Sequence, residues 1–236
     1  MKHTVFYAVL CGLFVLTYSV SAQEEGFVSL FNGQDLTGWT GDPAVWSVED
    51  GALTGRTSDS GPNKLKYNTF LIYDGGVEIH ENFILRFDIR LSRAGNSGMQ
   101  YRSWIMEGDE PYRVSGYQAD FDGAATYSGI CFGEGYRGII AERGTVSEVD
   151  DNHTPHSVAR FAESDTLKAN VKIEDWNAYE VIAHGHMMIH KINGQVMSVL
   201  YDRDQQMRRT TGILAIQAHA GPPMEVQVRN VRIKAE

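Results

Sequence analysis

Cysteine is nearly missing from this chain. There are two in 236 residues, Cys11 and Cys131, so neither a disulfide framework nor a cysteine-rich metal motif can be built. Proline is scarce too, at 6 against 24 glycines, which excludes polyproline segments and favours tight turns and bulges. No basic block exists: 21 Lys and Arg face 30 Asp and Glu, for a net charge of −9. That balance argues against phosphate-backbone binding, and no nucleic-acid partner is expected. Beyond the N-terminus there is no long segment of 3.6-residue periodicity, which excludes a helical bundle. What is present suits a packed domain: 42% apolar, 22% charged and 11% aromatic residues exclude a disordered chain.

The first residues read as a leader. Met1-Lys2-His3 is a short basic start, Val5 to Val20 is mostly apolar, and Val20-Ser21-Ala22 has the spacing of a signal-peptidase site. The run is short for a membrane span. Residues 1–22 are therefore expected to be removed, leaving one domain over 23–236, exported to a periplasm or the medium, with no stable membrane insertion. Leu10 before Cys11 is large for lipoprotein processing. Cys131, flanked by Ile130 and Phe132, reads as a small apolar core residue.

Strand patterns dominate the remainder. Phe83, Leu85, Phe87, Ile89 and Leu91 alternate with Arg86, Asp88 and Arg90, the period-two signature of a half-buried strand. Asn193-Gly194 between Ile189, Ile192 and Val196, Val199 is a hairpin turn, because both positions tolerate positive φ. Further strands are expected over 212–219 and from Met224 to Ile233. Many strands separated by Gly and Asn point to an all-β, antiparallel β-sandwich or jelly roll. Two long loops are expected, at 56–68 and 142–168, with a short helical piece near 155–163.

Three motifs carry less than they spell. Gly133-Glu134-Gly135-Tyr136-Arg137-Gly138 matches the dinucleotide fingerprint, but no helix follows and no βαβ unit surrounds it, so no nucleotide cofactor is expected. His184, His186 and His190 share parity on what reads as one strand. A metal site is one reading of them; a hydrogen-bonded strand face explains them at least as well. Asn152-His153-Thr154 is a glycosylation acceptor only in a eukaryotic secretory route.

The informative feature is a polar face spread over several strands. Gln100 with Arg102, Gln118 with Asp120, and Gln217 with His219 are each i, i+2 pairs, so each pair shares a side. On neighbouring strands they would collect amides, a guanidinium, a carboxylate and an imidazole, groups that suit a hydroxyl-rich ligand. Trp39, Trp46, Trp104 and Trp176 could add a stacking surface, with at least two of them expected in the core. The competing reading is a solvated outer sheet face.

The chain closely resembles the 3-keto-disaccharide hydrolase family. The motifs that carry the resemblance run from Leu30-Phe31-Asn32-Gly33-Gln34-Asp35-Leu36-Thr37-Gly38-Trp39 and Trp46-Ser47-Val48-Glu49-Asp50-Gly51 through Asn96-Ser97-Gly98-Met99-Gln100-Tyr101-Arg102 and Gly116-Tyr117-Gln118-Ala119-Asp120. They continue with Asp175-Trp176-Asn177, Ile192-Asn193-Gly194, Gly212 to His219 with Gly221-Pro222-Pro223, and Val228-Arg229-Asn230-Val231. Ile130-Cys131-Phe132-Gly133-Glu134 departs from the Leu-Tyr-Asp-Glu-like segment expected in relatives, so no role is carried over to 131–133, while Glu134 keeps its match. The resemblance implies a concanavalin A-like sandwich with its site on a concave face, acting on sugars oxidised at C3. A C3 ketone acidifies the C2 hydrogen, and loss of that proton expels the C1 substituent by β-elimination; water can then add back. On this reading Asp120 or His219 is the base. Arg102 or a divalent metal ion stabilises the enolate, and Glu134 or His190 protonates the leaving oxygen. Gln100, Gln118 and Gln217 orient hydroxyls, with Tyr101 and Trp104 among the substrate contacts. A non-catalytic lectin-like module and a conventional two-carboxylate glycoside hydrolase are the alternatives.

Overall fold

The computed structural model describes residues 24–236, so the expected leader and Cys11 lie outside the described residues. Two sheets face each other. The first runs in the order β12 (Pro155–Arg160), β11 (Thr145–Val149), β15 (Gln195–Asp202), β14 (Met187–Ile192), β13 (Asn177–His184), β6 (Phe83–Leu91), β17 (Glu225–Ala235), β4 (Ala52–Arg56) and β3 (Trp46–Glu49), with β1 (Val28–Ser29) paired to β17. The second runs β10 (Gly138–Ala141), β9 (Cys131–Glu134), β8 (Val114–Asp122), β7 (Asn96–Ile105), β16 (Ile213–Ala218), β5 (Thr69–Tyr73) and β2 (Trp39–Thr40). Neighbours are antiparallel except β11 on β15. This is the antiparallel β-sandwich expected from the sequence. Among the described residues no helix is long and apolar enough to cross a membrane.

Alternation decides which side chains enter the core. On β6 the five apolar residues from Phe83 to Leu91 are at most 1% exposed, while Arg86, Asp88 and Arg90 stay half-buried on the other face. Burying such side chains is worth roughly 1.5–3 kcal/mol each. Across the gap, the second sheet supplies Met99, Tyr101, Tyr117, Ala119, Phe121, Leu214 and Ile216. Cys131 packs among them as a free thiol, its pKa pushed up to about 12 chiefly by burial. The Asn193-Gly194 turn has φ of 51° and 81° at its two residues, as the hairpin requires. Trp39 and Trp46 are core residues, whereas Trp104 and Trp176 are half-buried.

Two expectations need correction. Residues 142–168 are not a long loop: they form the β11–β12 hairpin and a short helix, α1 (Ser164–Lys168), which starts after the predicted helical stretch. The polar composition reflects β12, an edge strand exposed along nearly its whole length. Nor do His184, His186 and His190 share a strand. The chain turns at Gly185-His186, leaving His184 and His186 exposed at the hairpin tip and His190 in the core. The 56–68 segment, by contrast, is a loop between β4 and β5.

Candidate active site

The central strands of the second sheet present Gln100, Gln118, Asp120 and Gln217 on the face turned away from the core. The ladder explains the convergence. Gln100 is opposite Gln118 on β8 and opposite Ala215 on β16, and Gln118 is opposite Phe132 on β9. Although outward-facing, the four are at most 4% exposed. Gly98 makes room for them. A Cβ there would sit 2.6 Å from Cγ of Gln118, so only glycine lets that amide lie across the sheet.

Buried amides must be paired, and these pair with one another. Ser103 Oγ donates to Gln100 Oε1 at 2.8 Å, and Gln100 Nε2 donates to Gln118 Oε1 at 2.6 Å. Gln118 Nε2 donates to Asp120 Oδ1 at 2.6 Å and lies 3.4 Å from Gln217 Oε1. Gln217 Nε2 donates to Glu134 Oε2 at 3.1 Å, and Asn68 Nδ2 to Glu134 Oε1 at 2.9 Å. A chain of carboxamides thus joins two carboxylates. It borders a cavity of about 330 Å³ lined also by Asn96, His219, Tyr127, Ile130, Phe132 and Ile139, a size within the range of small-molecule sites.

The carboxylates differ in setting. Burial pushes the Asp120 pKa up to about 8, against the opposing Gln118 hydrogen bond and with help from the charges of Asp122 and Glu134. Glu134 has an amide N–H on each oxygen. Asp122, two residues beyond Asp120, is committed elsewhere. Its carboxylate accepts the backbone N–H groups of Thr126, Tyr127 and Ser128 at 2.7–3.0 Å and closes the loop after β8. His219, half-buried at the end of β16, has no hydrogen-bond partner among the described residues.

Asp120, His219, Glu134, Gln118 and Gln217 therefore line one cavity, with Gln100 bonded behind them. Besides Gln100, four expected members do not line it. Arg102 sits at φ +49° in a β-bulge between Tyr101 and Trp104, so its i, i+2 relation to Gln100 no longer fixes its side. It is fully buried and donates to the Glu81 carbonyl at 2.8 Å. His190 belongs to the opposite sheet and points into the core. Burial lowers its pKa to about 4, so the ring is neutral; Nδ1–H donates to the Ile130 carbonyl at 3.0 Å and Nε2 accepts from the Tyr101 hydroxyl at 2.8 Å. Tyr101 is fully buried there between the sheets. Trp104 lies outside the cavity, edge-on to Tyr136 and under the Arg209 guanidinium.

Sequence reasoning missed Asn68, Asn96 and the apolar members. Asn96 carried a signal, since it shares parity with Gly98 and Gln100. Asn68 carried none, because it arrives from a loop and is fixed by the Ala220 N–H at 2.9 Å. As for a divalent ion, the described residues contain no group of three His, Cys, Asp or Glu able to hold one. Both oxygens of Glu134 and one of Asp120 already accept amide protons. The Glu134 oxygens are thus taken by amides rather than left open to an ion.

The outer face of the second sheet thus carries a pocket of buried amides and carboxylates, groups that can donate to and accept from hydroxyls. Residues 26–234 match the 3-keto-α-glucoside-1,2-lyase-like domain, and the chain belongs to that family. The family places it among carbohydrate-active proteins. Among solved structures, a candidate glycosyl hydrolase from Parabacteroides distasonis aligns over 90% of this chain and 94% of its own, at 22% identity and a TM-score of 0.55. A second from the same organism aligns over 89% and 99%, at 16% identity and 0.56. The carbohydrate binding module CBM66 of Bacillus subtilis aligns over 84% and 96%, at 13% identity and 0.52. At these identities the likeness is one of fold. No protein of curated function matches the chain in sequence.

Proposed function

We propose that this protein is an exported 3-keto-glycoside lyase, with net hydrolysis when water adds back. One observation carries the reading: a carboxyl group whose pKa is pushed to about 8 sits in an amide-lined, sugar-sized cavity. Removing a proton from carbon beside a ketone is favoured by a base whose pKa lies near the operating pH. Asp120 in its ionised form takes the C2 proton, and the electron pair moves into the C2–C3 bond and onto the C3 oxygen. Amide N–H groups are the donors in reach of that developing charge, and Asn96 has no partner of its own among the described residues. The C1–O bond then breaks as the enolate collapses to the enone, and His219 N–H supplies the proton that leaves with the aglycone. Water adding at C1, with a proton returned to C2, gives the 3-keto sugar.

In this proposal His190, Glu134 and Arg102 do not take the roles first expected of them. His190 is too deep to reach a leaving group. Glu134, with an amide proton on each oxygen, serves as a fixed negative charge that raises Asp120 and accepts from sugar hydroxyls. The family match and the carbohydrate-related structural neighbours support the substrate class, and the leader-like residues 1–22 support export.

The test is to incubate the protein with 4-nitrophenyl glucoside and its 3-keto form and follow nitrophenol release, with NMR of the sugar product. Release from the 3-keto form alone, with deuterium incorporated at C2 in D2O, is the expected result. Release from the unoxidised glucoside would instead make it a conventional hydrolase. Binding without release would make it a lectin-like module. Asp122 is no partner carboxylate for a conventional mechanism, because backbone N–H groups occupy it.

A further inference from the structure

The cavity is chemically divided. Across the sheet, at one level, the ladder sets Gln100, Gln118, Phe132 and Ile139 side by side on β7, β8, β9 and β10. The amides occupy the central strands, and the wall toward the β10 edge is apolar. Tyr127 and Ile139 complete that wall, each 46% exposed and each lining the cavity. Large apolar side chains left in water at a cavity mouth gain from an apolar partner.

The loop bearing Tyr127 is not a casual surface segment. Besides its three N–H groups held by Asp122, Ser128 Oγ lies 3.2 Å from Asp122 Oδ1. The buried guanidinium of Arg143 donates to the carbonyls of Ser128 at 2.8 Å and Ala125 at 3.2 Å from beneath. A buried cation and a buried carboxylate both serve to fix an eight-residue turn whose outward feature is an exposed aromatic ring. Such preorganisation lowers the entropic cost of binding against that ring.

We propose that Tyr127, Phe132 and Ile139 form an aglycone subsite that selects glycosides with a flat apolar, aryl-type leaving group over those with a second sugar or a small alkyl group. This rests on the lyase reading for the orientation of the substrate: sugar hydroxyls toward the amides, C1 substituent toward β9 and β10. Tyr127 and Ile139 are specificity residues and touch no reacting atom.

The test uses binding, so that leaving-group chemistry does not enter. Dissociation constants of phenyl glucoside and methyl glucoside, each as both anomers, are measured by calorimetry for the full chain and for Ile139→Ser and Tyr127→Ala. Phenyl glucoside is expected to bind about tenfold tighter than methyl glucoside, the effect of taking roughly 55 Å² of apolar surface from water. That ratio should fall to near one in each variant. Both positions are exposed, and unchanged melting curves will show that the variants fold. Equal binding of the two glucosides by the unaltered protein, a ratio that survives both substitutions, or binding of neither glucoside overturns the subsite. A phenyl preference without turnover of any 3-keto-glycoside would remove the lyase reading and keep the wall; turnover without the preference would do the reverse.

Discussion

On the outer face of β6, Arg86, Asp88 and Arg90 alternate with core residues; on the outer face of β7 and β8, Gln100, Gln118 and Asp120 do the same. On the first sheet Arg86 and Asp88 find opposite charges near water, and Arg90 donates to Gln227 Oε1 at 3.0 Å. Glu180 accepts from Arg86 and Lys191, both at 2.5 Å, and Asp88 lies 3.4 Å from Arg229. On the second sheet no Lys or Arg among the described residues lines the cavity, and Asp120 pairs with the Gln118 amide beside the charges of Asp122 and Glu134. Identical alternation therefore produces two electrostatic settings. In one a carboxylate is stabilised as the anion: the Glu180 pKa is lowered by Lys191 and Arg86 against its burial. In the other the carboxyl is driven toward its neutral form. Sites arise where pairing is withheld.

Substitutions on the two faces should separate sharply. Asp120→Asn is expected to cut kcat on a 3-keto-glucoside roughly a thousandfold, the scale of a lost general base, measured by steady-state kinetics. In the unaltered protein kcat should rise with pH up to about 8, as Asp120 ionises; a flat profile from pH 5 to 9 would remove Asp120 as the base.

Stability gives the second contrast. With its folded pKa raised to about 8, Asp120 holds its proton more tightly in the folded state than in the unfolded chain. Its contribution is fully present below the unfolded pKa, near 4, and is lost as pH rises through about 8. Asp120→Asn should therefore be more stable than the parent at pH 9, by on the order of a few kcal/mol in urea melts, and much less so at pH 4.

A third prediction concerns the sandwich interior. His190→Gln should cost about 1–3 kcal/mol, because the Tyr101 hydroxyl and the Ile130 carbonyl lose a buried partner. The folded pKa of His190, about 4, lies below its unfolded value, so its stability is present above the latter and is lost as pH falls toward 4. The substitution should flatten that acid limb in a pH series of urea melts and leave the alkaline rise in kcat in place.

The smallest effect belongs to the ion-paired face. Arg86→Gln should change stability by about 1 kcal/mol or less and leave kcat within error, since ion pairs that water still reaches contribute little. A large loss of activity there would mean that the wrong face has been assigned.

Parity made much of this legible in advance. The sandwich, the β6 alternation and the shared side of Gln118 and Asp120 follow from period two, and the Asn193-Gly194 hairpin from turn residues that tolerate positive φ. Parity failed where the ladder breaks or the chain turns. Arg102 left its expected side at a bulge, and Gly185-His186 split one imagined strand into two. Gly98, which has no side chain to enter a pattern, is a space-maker in the sheet.

By itself, then, the order of residues determined local matters: which segments extend, which side of each strand is apolar, and which polar types were on hand, because backbone sterics and period two act between near neighbours. Tertiary structure alone decided who meets whom. Asn68 and Glu134, 66 residues apart, come together only when β5, β16, β7, β8 and β9 lie edge to edge. The raised pKa of Asp120 exists only because that assembly removes water from it, and exclusion of water is a property of the packed surface that no stretch of chain possesses alone.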